Sequence, residues 1–117
     1  MNLRIAAATA AFFVLSATGA ERIDIQLNDP AVSRGCPAHV HFTGTIHPYA
    51  PGRVTYTFAR SDGAHGPELS LDFSRPEAKP ISYDWQLGGQ YSGWAQLVIL
   101  SPNHEQTAKR AFRVNCP

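Results

Sequence analysis

CPAHVHFTGTIH, from Cys36 to His47, is the stretch whose reading decides the fold. Beyond Cys36-Pro37, Val40, Phe42, Gly44 and Ile46 fall on one side of an extended chain, and His39, His41, Thr43, Thr45 and His47 fall on the other. Successive side chains of a strand point to opposite faces, so this period of two predicts a strand with one face buried. Pro48 and Pro51-Gly52 end the run.

The same period recurs on either side. Upstream, Ile23, Ile25 and Leu27 alternate with polar residues until Asn28-Asp29-Pro30 interrupts them. Downstream, Val54, Tyr56 and Phe58 alternate with Thr55, Thr57 and Ala59. Arg60-Ser61-Asp62-Gly63 then reads as a turn, with Asp-Gly supplying the positive φ that tight hairpins need. Leu69, Leu71 and Phe73 mark a shorter strand, and the proline-bearing loop from Ser74 to Pro80 is poorly suited to a central one. Ile81, Tyr83, Trp85 and Leu87 point one way, with Ser82, Asp84 and Gln86 opposite. After Gly88-Gly89, Trp94 to Leu100 is apolar on both faces apart from Gln96, which predicts a central strand covered on both sides. Pro102-Asn103-His104 turns the chain, and Phe112, Val114 and Cys116 close on an inward face. Seven short strands with turns between them and no helical period predict an all-β sandwich. The length matches the seven-stranded immunoglobulin-like or fibronectin III-like class, with a small closed barrel as the alternative.

The termini add compartment and covalent chemistry. Residues 1–20, MNLRIAAATAAFFVLSATGA, carry Arg4, an apolar run to Leu15 and small residues around Ala20, the layout of a cleaved secretory signal peptide. An uncleaved anchor is the alternative, but the apolar run is short of the roughly 20 residues a span needs. What remains, 21–117, suits one domain. In a secreted or periplasmic chain the two cysteines, Cys36 and Cys116, are expected to form a disulfide. Free or metal-bound thiolates are the alternative, yet two lone cysteines lack the close pairing of a zinc site. The bridge would tie the start of the second expected strand to the end of the seventh, closing a loop for which chain entropy gives roughly 4–5 kcal/mol.

Charge excludes some partners. The sequence has ten Lys and Arg against nine Asp and Glu, and losing Arg4 with the leader balances them. A chain without a basic cluster has no electrostatic footprint for nucleic acid, and no other segment is apolar enough for membrane insertion.

Cys36-Pro37, FTGTI at Phe42 to Ile46, VTYTFARSDGA at Val54 to Ala64, YSGW at Tyr91 to Trp94 and AFRVNC at Ala111 to Cys116 resemble the matching elements of small secreted bacterial immunoglobulin-like domains. The resemblance spans most of the chain after the leader and implies the β-sandwich. It implies no activity, because folds of this type host many unrelated functions.

Few residues point to chemistry. His39 and His41, two apart on one strand face, lie about 6.5–7 Å apart at Cα and can share a transition-metal ion. If the second and fifth expected strands are neighbours, Asp84 is placed as a third ligand. His47 is too far along the strand to join them without a bend. The plain reading of the same row is a solvated sheet face of histidine and threonine. No GxSxG elbow and no phosphate-cradling glycine pattern is present. Trp85 is in phase with the expected core, Tyr91 is placed to act as a tyrosine corner, and Tyr49, among prolines, is the aromatic expected to be most exposed. A lone tyrosine makes no sugar site.

The expected function is therefore a secreted or periplasmic, non-enzymatic module without a cofactor, contacting a protein or a cell-envelope component. The candidate contact loops are Arg60 to Pro67, with Arg60, Asp62 and His65, and Pro102 to Thr107, with Asn103 and His104; the alternative for each is a plain turn. The alternative function is periplasmic copper or zinc binding through His39 and His41.

Overall fold

Each of the seven alternating stretches is a strand of the computed structural model, which describes residues 23–116. They are β1 (Ile23–Leu27), β3 (Ala38–Pro48), β4 (Gly52–Arg60), β5 (Leu69–Phe73), β6 (Lys79–Leu87), β7 (Tyr91–Ser101) and β9 (Arg110–Val114). The expected count of seven is corrected to nine among the described residues by two-residue strands, β2 (Ala31–Val32) and β8 (Glu105–Gln106). Both exist because β3 and β7 are longer than their neighbours. β1 covers β3 only from Gly44 to Pro48, and Pro30 interrupts it, so the chain regains the same edge at His41 and Val40 through β2. Likewise β9 pairs with β7 from Tyr91 to Ala95, and β8 takes up Val98 and Ile99 farther along. Two residues carry no period, so the sequence pattern does not register them. The expected leader lies outside the described residues.

Pairing registers give two sheets. In the first, β3 is central, with β1 and β2 along one edge and β6 along the other. In the second, β7 is flanked by β4 on one side and by β9 and β8 on the other, and β5 lies outside β4. The two sheets pack face to face as a sandwich, not a closed barrel. Phe42, Leu27 and Ile46 of the first sheet and Phe58, Leu97 and Ile99 of the second are fully buried between them. Each such side chain contributes about 1.5–3 kcal/mol by leaving water. Trp85 is core, as its phase predicted. Residues 95–99 of β7 are all buried, the expected central strand, and Gln96 satisfies its amide by donating to the Thr107 carbonyl at 2.8 Å. Leu69 departs from the pattern and is 39% exposed, because β5 is an outer edge.

Cys36 and Cys116 are joined, with their Cα atoms 5.6 Å apart. One lies just before β3 and the other just after β9, so the bond ties the two sheets together at one end. Arg110 adds a non-covalent tie, donating from Nε to the Leu27 carbonyl at 2.7 Å. Among the described residues no helix is long and apolar enough to cross a membrane.

Candidate functional site

With Val40, Phe42 and Ile46 turned inward, alternation forces His39, His41, Thr43, Thr45 and His47 onto the outer face of the first sheet. Register then assigns their neighbours. His39 stands opposite Gln86, His41 opposite Asp84 and Thr43 opposite Ser82 on β6, while Thr45 and His47 stand opposite Gln26 and Asp24 on β1.

The structure therefore brings two of the three expected metal-binding residues together. His41 Nδ1 lies 2.5 Å from Asp84 Oδ1. The two side chains are 46% and 67% exposed, so the pair is worth at most about 1 kcal/mol to folding. His39 faces an amide rather than a carboxylate, and among the described residues no three His, Cys, Asp or Glu side chains converge as a metal set.

A second histidine and carboxylate share the other half of the face. Tyr49 donates its hydroxyl to Asp24 Oδ2, and its ring meets the His47 ring edge-on with centroids 6.1 Å apart. Beside them runs an open groove of about 380 Å³, lined by Asp24, Ile25, Gln26, Thr45, His47 and Ala78. Reading β3 alone misses this grouping, since Asp24 meets His47 through the β1–β3 register and Tyr49, not along β3. The exposed alternating positions of β1 were the available signal.

The expected contact loops behave differently. Arg60 turns back over the sandwich, with its guanidinium 4.2 Å from the Trp85 ring centroid and Nη1 donating to the Tyr83 hydroxyl at 3.2 Å. It also clamps Asp62, donating from both Nε and Nη2. His65 forms an isolated bridge with Ala59. Arg60 stands opposite Ala95, whereas Thr55 stands opposite Ser101, so the turn after β4 and the turn bearing Asn103 and His104 lie at opposite ends of the β4–β7 ladder. They do not make one end-on cluster.

The Arg60 bond first, and then the Ala64 amide, hold the Asp62 carboxyl below its ordinary range. A lowered folded value means that its stabilisation is present above the ordinary carboxylate range and is lost as pH falls through the folded value. Asp62→Asn is accordingly expected to lower the melting temperature at neutral pH, and the gap to the parent protein is expected to close between about pH 5 and pH 2. Thermal melts across that range check it.

Tyr91 is not a corner of the expected kind. Its hydroxyl bonds the Ser61 hydroxyl at 2.9 Å, and Ser61 Oγ also accepts the Trp94 amide at 3.1 Å. The RSDGA and YSGW segments meet here, as a latch between the β4–β5 turn and β7. Trp94 carries Lys109 over its ring at 4.3 Å, so that ring face is covered by this chain's own side chain. No protein-family model, no curated protein and no solved structure matches this chain.

Proposed function

We propose that this chain is a secreted or periplasmic, non-enzymatic binding module of the immunoglobulin-like or fibronectin III-like kind, which contacts a cell-envelope component or protein through the outer face of its first sheet. A three-strand-wide sheet against a four-strand-wide one, with antiparallel pairing throughout, supports the kinship. The disulfide and the leader-like N-terminus support the compartment. One observation carries the choice of surface: three of the five histidines, with Asp24 and Asp84 facing two of them, share one exposed sheet face. The loop charges Arg60 and Asp62, by contrast, are engaged with one another.

Sedimentation of the mature protein with an insoluble envelope fraction tests this, along with cross-linking in the secreted fraction. Ser82→Arg, which places bulk and charge on the face, is expected to abolish capture, and His104→Glu in the distant turn is expected to preserve it. The opposite pattern overturns the choice of surface.

A second reading, copper or zinc capture by His39 and His41, is favoured by the His41–Asp84 contact. A carboxylate on one ring nitrogen orients the other towards a metal. Calorimetric titration with copper and zinc decides it. Micromolar or tighter binding that disappears in His41→Ala supports it, and no heat above buffer removes it.

A further inference from the structure

We infer that the groove at the Asp24 end of this face is a subsite for a neutral or amino-bearing sugar ring. This rests on the envelope-binding reading and gives that reading a ligand class. The groove crosses the sheet, with Thr45 and His47 from β3 between Asp24 and Gln26 of β1 on one side and Ala78, just before β6, on the other. Its volume, about 380 Å³, is at the small end of ligand sites, which run from roughly 300 to 1,000 Å³.

The lining selects the chemistry. Four of the six residues carry hydrogen-bonding side chains, so a lipid tail or an apolar peptide anchor gains little there. Among the described residues no lysine or arginine lines the groove, so a phosphate or sulfate finds no cation among them. Asp24 is the carboxylate among the described lining residues, an acceptor for hydroxyl or ammonium donors, and the Tyr49 hydroxyl holds it in place. Gln26 and Thr45 each combine donor and acceptor capacity, as a ring bearing several hydroxyls requires. Tyr49 packs edge-on against His47 and bonds Asp24, so it braces two of the lining side chains at this end of the groove. From the sequence Tyr49 stands alone; in the fold it holds Asp24 and His47, which both line the groove.

An array of neutral, amino-bearing and acidic saccharides tests the inference, with two-dimensional NMR of the labelled mature protein to map contacts. Binding is expected for neutral or amino sugars and not for uronic acids, whose charge opposes Asp24, with shifts centred on Asp24, Gln26, Thr45 and His47. Asp24→Asn is expected to weaken binding about tenfold or more, because a hydrogen bond to a charged group is lost. Gln26→Ala is expected to weaken it several-fold, and His104→Glu to leave it unchanged. Melting temperatures report whether each variant is folded. No binding on the array overturns the sugar subsite, as does binding indifferent to both groove variants. If envelope sedimentation persists while every sugar is ignored, the sugar fails and the envelope reading stands. Sugar binding without sedimentation has the reverse meaning.

Discussion

The double variant Cys36→Ser/Cys116→Ser is expected to lose about 4.5 kcal/mol of unfolding free energy. The bond spans 80 residues, and the loop-closure entropy it removes from the unfolded chain grows with the logarithm of that span. Domains of this size retain only about 5–15 kcal/mol in total, so the loss takes most of the stability of one near the lower end. The melting temperature is expected to fall by about 20 °C or more. Urea unfolding with and without reductant measures the effect, and reduced parent protein is expected to match the variant. A midpoint unmoved by either change would show that the β7–β9 ladder and the Arg110 tie to Leu27 already hold the ends.

Gly44→Val carries the second large effect, about 3 kcal/mol or more of destabilisation. Gly44 sits on the inner face of β3, opposite both Leu27 of β1 and Ile81 of β6. A Cβ there would overlap the backbone carbonyl of Gln26 and come within 3.2 Å of Ile81 Cδ1. A side-chain tip can rotate away, whereas a carbonyl moves only if β1 moves with it. The strain is therefore expected to appear as detachment of β1, with faster amide exchange from Ile23 to Leu27 and little change at β7. Shortening the other neighbour, Ile81→Val, is expected not to restore stability, because the backbone overlap remains. Full recovery in that double variant would refute the account.

Much of the fold was legible because burial on one face writes itself into alternate positions. Ile81, Tyr83, Trp85 and Leu87 needed no partner to be recognised as a set, and the doubly covered β7 was legible as an uninterrupted apolar run. Strands of two residues are too short to carry any alternation, so β2 and β8 were not. The site was legible only in halves. His39 and His41 were visible as a pair, and Asp84 followed from assuming that its strand is a neighbour. Asp24, Gln26 and Ala78 became part of a site only through pairing across strands, which depends on register and not on local residue type. In the sequence Arg60 and Asp62 read as contact-loop residues, but Trp85 and Tyr83 of the facing sheet give the guanidinium an internal partner.

By itself the chain of residues determined that strands form, which faces are apolar and that two cysteines are available to join. Each of these follows from transfer of side chains out of water along one segment at a time. Tertiary structure alone decided which polar rows lie side by side, which turns share an end, and that Gly44 must lack a side chain. Those depend on distances between segments far apart in sequence, and such distances exist only once the two sheets have paired and packed.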